Sequence, residues 1–93
     1  MSYVVVKEFH DSMVCLGVYE NYNAALGEAM NDIFIQHKQY QLEGDEFEWN
    51  DPVELNDNQG IYITVKCKPS YLSKAMMMNY YILNPLYDER KPV

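Results

Sequence analysis

The sequence predicts an α+β domain, with a single helix packed on a mostly antiparallel sheet. Segments rich in β-branched and aromatic residues stand at the start of the chain and again in its second half. One segment with helical periodicity separates them. The predicted order is therefore strand, strand, helix and then two or three strands. A chain of 93 residues has the size of one domain, so we expect residues 1–93 to form a single acidic domain.

The first two strands are predicted at residues 3–9 and 13–19, which are rich in valine and aromatic residues. The polar break between them, residues 10–12, is short, and a short break favours an antiparallel hairpin. Gly17, inside the second strand, predicts a bulge or a close approach of another backbone segment.

The helix is predicted over residues 24–39, with Asn21 or Asn23 as its N-cap. Its apolar face is expected to contain five residues at helical spacing: Leu26, Met30, Ile33, Phe34 and His37. Two acids four residues apart, Glu28 and Asp32, are expected on the opposite face, where they repel each other weakly.

An acidic segment follows the helix. Residues 43–45 carry a turn signal, and acidic and aromatic residues alternate over residues 46–49. This alternation is typical of a short edge strand or an extended arm. Pro52 disfavours the helical conformation of Asp51, so we expect the chain to stay extended through residues 53–55.

The clearest strand is predicted at residues 61–67, where apolar and polar side chains alternate. Residues 75–83 are predicted as the last strand, although their three consecutive methionines also fit a helix. The tail from about residue 84, which contains two prolines, is expected to be irregular. One sheet face should stay uncovered and rich in tyrosine and methionine, and we expect a dimer contact there.

The acidic residues are concentrated in one region of the chain. From Glu8 to Val65 there are twelve acidic side chains and a single basic one, Lys38, a net charge of −11. The rest of the chain has six basic and two acidic side chains, a net charge of +4, which gives −7 for the whole chain. A field this asymmetric acts on binding partners rather than on the fold. It opposes direct binding to nucleic acid, because phosphates would be repelled.

The residues typical of catalytic and metal sites do not form a recognisable pattern. The two histidines and two cysteines give no CxxC, HxxxH or HExxH spacing, and the acids near residue 45 lack the spacing of an EF-hand. There is no GxSxG elbow and no glycine-rich phosphate loop. We therefore expect no enzymatic activity, no metal and no cofactor.

Cys15 and Cys67 lie inside apolar strand-like runs, which favours two buried thiols over a disulfide. The N-terminus carries no secretory signal, and no apolar run approaches the roughly 20 residues that a membrane span needs. We therefore expect a cytoplasmic protein with no membrane partner.

Acidic side chains held at regular spacing can take the place of nucleic-acid phosphates in a basic groove. Acids four apart on a helix and acids at alternate positions of a strand both give spacings of about 5–7 Å. We therefore predict that these side chains bind a DNA-binding partner protein: Glu20, Glu28, Asp32, Glu43, Asp45, Glu46, Glu48, Asp51, Glu54 and Asp57.

One monomer is short for this task, and a twofold homodimer would double the acidic surface. Two other interpretations stay open. In the first, the acids serve only as a solvated surface, because many cytoplasmic domains carry a similar net charge. Alternatively, the protein is an acidic interaction or accessory module that contacts its partner through the apolar tyrosine- and methionine-rich surface.

The chain resembles the small anti-restriction proteins of T-even phages. The resemblance rests on its length, its acidity, its composition and two runs, YVVVKEF and MVCLGVYENYNAALGEAM. Those phage proteins act as DNA mimics. The resemblance implies inhibition of a host restriction endonuclease that attacks modified phage DNA, without any chemistry by the inhibitor. The LGVYENYNAALGEAM run also resembles small uncharacterised bacterial ββα proteins.

Overall fold

One helix lies across one face of a six-stranded antiparallel sheet in the computed structural model of the chain. The structure describes residues 2–55 and 59–84. Its elements are β1 (Tyr3–Phe9), β2 (Ser12–Tyr19), α1 (Tyr22–Leu42), β3 (Glu46–Trp49), β4 (Val53–Glu54), β5 (Gly60–Lys68) and β6 (Met76–Leu83). The predicted α+β class is confirmed, and the elements follow the predicted order with four strands after the helix instead of two or three. The predicted irregular tail lies almost entirely outside the described residues.

The strands are arranged in the order β2-β1-β6-β5-β3, and β4 follows β3 along the outer side of β5. The last described strand is therefore central, between β1 and β5. Val5 of β1 is paired with Ile82 of β6, and Ile61 of β5 is paired with Ile82 from the other side. Contacts between the two ends of the described chain thus build the middle of the sheet.

The core lies between the sheet and the helix. Alternate residues of β1, β5 and β6 face α1, and the register places them in rows across the strands. The buried apolar residues are Val5, Ala25, Ala29, Ile33, Ile63, Val65, Cys67, Met78, Tyr80 and Ile82. The predicted alternation of residues 61–67 is confirmed by this set, and of the predicted residues 75–83, Met76–Leu83 form a strand rather than a helix.

The helix is longer than predicted at both ends. Asn21 is the N-cap, and its side chain accepts a hydrogen bond of 2.8 Å from the Ala24 amide. At the other end Gly44 has a φ of 74°, a conformation that glycine adopts without strain. The Asp45 amide donates to the Tyr40 carbonyl at 2.9 Å, which closes this end of the helix.

The predicted apolar face of the helix was rotated from the true one. Ala25, Ala29 and Ile33 are fully buried, whereas Phe34 is 51% exposed. The two alanines allow the helix backbone to approach the sheet closely, and this close approach decides the buried face. Of the five predicted residues, Ile33 is fully buried, whereas Leu26 and Met30 are only partly buried at the margin of the core.

The hairpin and its predicted bulge are confirmed. β1 and β2 pair antiparallel, and the register shifts between Val5 and Val6, opposite Gly17 and Cys15. Leu16 is the extra residue of this bulge.

The sheet face remote from the helix is covered by no element among residues 2–55 and 59–84. The register places Tyr62, Tyr81, Met13 and Met77 on this face, which we call the open face. Met13 and Met77 are 62% and 52% exposed. The expectation of an open face that carries tyrosine and methionine is confirmed.

Two glycine substitutions test the packing. Gly60 has a φ of 143°, and a Cβ there would overlap the backbone carbonyl of Ile82 in the central strand. Gly60→Ala should therefore lower the free energy of unfolding by about 3 kcal/mol in urea denaturation. Gly27→Ala is the matched control, because a Cβ on this exposed helical residue meets no atom within 4 Å. It should raise stability by up to about 1 kcal/mol. Equal stability of both variants would contradict this description of the sheet.

Candidate functional site

An exposed acidic segment runs along one edge of the sheet. Residues 43–54, which we call the acidic edge, contain six acidic side chains and no basic one. They comprise the end of the helix, the following turn, β3 and β4. Five of the six acids are exposed, and Asp45 is half-buried: Glu43, Asp45, Glu46, Glu48, Asp51 and Glu54.

β3 is anchored through its aromatic residues, which pack against the helix. The ring centroids of Phe47 and Tyr40 are 5.1 Å apart. Trp49 contacts His37 at 5.1 Å and Phe34 at 5.7 Å between ring centroids. Because side chains alternate along a strand, this anchoring directs Glu46 and Glu48 to the open face and to solvent.

The break between β3 and β4 is held by an asparagine. The side-chain oxygen of Asn50 accepts a hydrogen bond of 2.9 Å from the backbone amide of Thr64. The backbone amide of Asn50 donates a hydrogen bond of 3.3 Å to the backbone carbonyl of Thr64. Beyond β4, the Leu55 amide donates to the Gly60 carbonyl at 2.8 Å. The acidic edge is thus attached to β5 along its length, and the prediction of an edge strand is confirmed.

Two acids of this edge lie beside lysines. Glu46 is paired with Lys68 and Glu48 with Lys66 in the sheet register, on the same face. These four residues line a shallow cavity of about 320 Å³, together with Phe47, Cys67 and Ala75. The lysines reduce the negative potential near Glu46 and Glu48. They do not lie opposite Asp51, Glu54 or Glu43.

Asp45 has a structural role within the acidic edge. Its Oδ1 accepts a hydrogen bond of 3.0 Å from the Ser70 amide. The contact ties the turn after the helix to the loop between β5 and β6. A side chain engaged in this way is less available to a partner than its exposed neighbours.

The other predicted acids are not part of this edge. Glu20 is exposed at the end of β2, which forms the opposite edge of the sheet. Glu28 lies near Tyr19 of the same strand. Asp32 faces the sheet, where it is bound to Lys7 and Tyr80. The structure therefore does not bring all the nominated acids into one array, because the two flanks of the helix face opposite edges of the sheet. Asp57 lies outside the described residues.

Asp32 forms an ion pair with Lys7 at 3.1 Å, and both side chains are mostly buried, with exposures of 27% and 18%. Its Oδ2 also accepts a hydrogen bond from the Tyr80 hydroxyl. Burial and this hydrogen bond to Asp32 raise the pKa of Tyr80. The expectation that Asp32 lies on the outer face of the helix was wrong, because Lys7 and Tyr80 provide partners for its charge.

A second polar network crosses the middle of the open face. Glu8 Oε1 accepts from Asn79 Nδ2 at 3.1 Å and from the Tyr81 hydroxyl at 2.9 Å. Thr64 Oγ1 donates to Asn79 Oδ1 at 2.8 Å. Burial and the bond to Glu8 raise the pKa of Tyr81. Sequence reasoning missed this network, because it joins three strands whose order no sequence pattern reveals.

Among the described residues there is no cluster of metal ligands, no disulfide and no helix that could cross a membrane. Within residues 2–55 and 59–84, no group of three or more histidine, cysteine or acidic side chains is placed to hold a metal ion. Both cysteines are free thiols; Cys67 is buried as expected, but Cys15 is exposed, so that prediction was wrong. Cys15 is exposed because the register of β2 places it beside Val6 on the open face. No helix in the described part of the chain combines the length and apolarity that a membrane crossing requires.

Comparison with known proteins found no matching family model, no matching curated protein and no matching solved structure. The site must therefore be interpreted from its own geometry.

The buried Tyr80 hydroxyl predicts destabilisation at alkaline pH. Below pH 10 Tyr80 is protonated in both states, because its folded pKa is raised above the ordinary value of about 10. Above pH 10 the unfolded chain loses this proton more readily, so the free energy of unfolding should fall as pH rises. Tyr80→Phe should reduce this fall by up to about 1.4 kcal/mol per pH unit, as measured by urea denaturation between pH 8 and pH 11.

Tyr71→Phe is the control, because Tyr71 is 81% exposed. It should keep the wild-type pH dependence. An identical dependence in the Tyr80→Phe protein would contradict the buried bond between Tyr80 and Asp32.

Proposed function

We propose that this chain is a non-enzymatic inhibitor whose acidic edge occupies the basic, DNA-binding surface of another protein. The observation that carries the proposal is the acidic edge itself: six carboxylates, no basic residue, and hydrogen bonds to β5 that hold the segment in place. Preorganised charges bind with a smaller loss of conformational entropy than charges on a mobile loop.

The charge density of the acidic edge limits how closely one monomer can imitate DNA. From Glu46 to Glu54 the chain spans about 27 Å at the rise of a strand. This length carries four carboxylates, whereas one strand of a duplex would present about eight phosphates over the same distance. The acidic edge therefore has about half the charge density of a single DNA strand. A homodimer that places two acidic edges side by side would come closer to that density, and we include it in the proposal.

The proposed partner is a host restriction endonuclease, the class that the resemblance to T-even phage anti-restriction proteins implies. Such an enzyme must bind a polyanion, so its DNA-binding surface is basic and complementary to the acidic edge. We place the encounter in the cytoplasm of the host cell. DNA itself is not a proposed ligand, because the net charge of −7 would repel it.

A second candidate function rests on the open face. Met13, Val18 and Met77 are each more than half exposed there, and no described element covers them. In this alternative the protein is an interaction or accessory module that binds its partner through apolar contacts. Apolar binding would be insensitive to salt, unlike binding through the acidic edge.

The first experiment is a pull-down from bacterial lysate with the immobilised protein. At low salt we expect DNA-binding proteins to be enriched, and duplex DNA should release them by competition. Raising the salt concentration severalfold should also release them, because the contact is electrostatic. Retention at high salt and in excess DNA would contradict the proposal and favour the open face.

Two double variants with equal charge change test which acids matter. Asp51→Asn with Glu54→Gln removes two exposed carboxylates of the acidic edge, and Asp11→Asn with Glu20→Gln removes two exposed carboxylates elsewhere. The first should weaken partner binding about fivefold to tenfold at low salt, and the second less than twofold, as measured by titration with the captured partner. Equal effects would show that only net charge matters, which contradicts a defined acidic edge.

A further inference from the structure

The opposite edge of the sheet, formed by β2, lacks the charges and prolines that protect many edge strands, although it carries one bulge at Leu16. In the part of the chain that the structure describes, β2 pairs with β1 on one side and with no strand on the other. It contains no proline and no acidic or basic side chain. Met13, Val14 and Val18 are 62%, 53% and 59% exposed.

The two edges of the sheet differ in a way that indicates different roles. Proteins usually protect edge strands with charges, prolines or interruptions, because the unpaired backbone groups can bind another strand. The acidic edge has all three: Glu46 and Glu48, Pro52, and the break at Asn50. β2 has eight residues, about 27 Å of strand. On either side of its bulge, the outer edge of β2 pairs with no strand in the described part of the chain.

A cavity lies next to this edge. It has a volume of about 330 Å³ and is lined by residues of β1, β2 and the turn between them: Lys7, Phe9, His10, Ser12, Val14 and Leu16. The register places Val14 opposite Lys7 and Ser12 opposite Phe9, so these side chains share the helix-facing side of the hairpin. An added strand directs alternate side chains to this side, where an apolar one can enter the cavity.

The charges around β2 indicate what kind of strand fits. Asp11 precedes β2 and Glu20 follows it, and both are exposed. A second copy paired antiparallel through β2 would place its Glu20 beside Asp11, so like charges would meet at both ends of the strand. A segment with lysine or arginine at each end would instead place opposite charges at both ends of the strand.

We infer that β2 binds an extended segment of another protein by strand addition. The segment has an apolar core with one side chain in the cavity of the hairpin, and basic residues at both ends. Backbone hydrogen bonds provide the pairing, and the cavity and the two acids provide selectivity. This inference does not rest on the proposed function of the acidic edge.

The test uses a synthetic peptide with an alternating threonine–valine core and paired lysines at each end. In NMR titrations the amides of β2 should shift and should gain protection from hydrogen exchange. A peptide with the same core and glutamates at its ends should bind at least about tenfold more weakly. A lysine-ended peptide methylated on its core amides should not bind, because it cannot donate backbone hydrogen bonds. Equal binding of the three peptides would overturn the inference.

The same substitution on the two edges provides matched variants. Val18→Lys on β2 should weaken peptide binding at least about tenfold, because it adds a charge beside the lysine ends. Val53→Lys on β4, where Val53 is also exposed, should leave binding unchanged. Thermal unfolding of both variants verifies that they are folded. Equal loss of binding in both would overturn the inference.

In the peptide-binding assay, the two acidic double variants should show the reverse of their effects on partner binding at the acidic edge. Asp11→Asn with Glu20→Gln should weaken peptide binding about fivefold, and Asp51→Asn with Glu54→Gln should not. A failure to find partner binding at the acidic edge would therefore not change what the peptide-binding assay shows about β2. Sedimentation of the protein without peptide completes the test. A dimer that Val18→Lys dissociates would show that a second copy occupies β2 and would overturn the assignment to a foreign segment.

Discussion

The contact of Asp32 with Lys7 and Tyr80 determines how the helix sits on the sheet. It joins the helix to two adjacent strands, β1 and the central β6. Ala25 and Ala29 decide the buried face and bring the helix close to the sheet, and in this rotation Asp32 meets both of its polar partners. A mostly buried ion pair contributes little net stability by itself, but leaving one partner alone would be strongly unfavourable. The contact therefore selects one arrangement among several apolar ones.

The difference between the two edges follows from this arrangement. With the helix rotated in this way, Phe34, His37 and Tyr40 face β3, and their rings hold the aromatic residues of that strand. The acids between those aromatic residues then point to the open face. On the other flank, Glu28 and Asp32 face β1 and β2, where Asp32 is neutralised by Lys7. One edge is therefore acidic and divided into two short strands, whereas the other is a single eight-residue strand without charged side chains.

This asymmetry gives the molecule two surfaces with different physical behaviour. Binding at the acidic edge depends on charge and is weakened by salt. Pairing at β2 depends mainly on backbone hydrogen bonds and apolar contacts, with charges at its ends. The open face lies between the two edges and is crossed by the network of Glu8, Asn79 and Tyr81. The network reduces the apolar character of the middle of that face.

The sequence by itself determined the class of fold and nearly all the elements, because alternation, helical periodicity and caps are local properties. It also located the acidic segment and the bulge at Gly17. Only the tertiary structure decided the insertion of β6 between β1 and β5, the pairing of Glu46 and Glu48 with lysines, and the partners of Asp32. Those contacts join residues far apart in the chain. Their pairing depends on strand order and on the close approach of small residues, and neither leaves a periodic signal in the sequence.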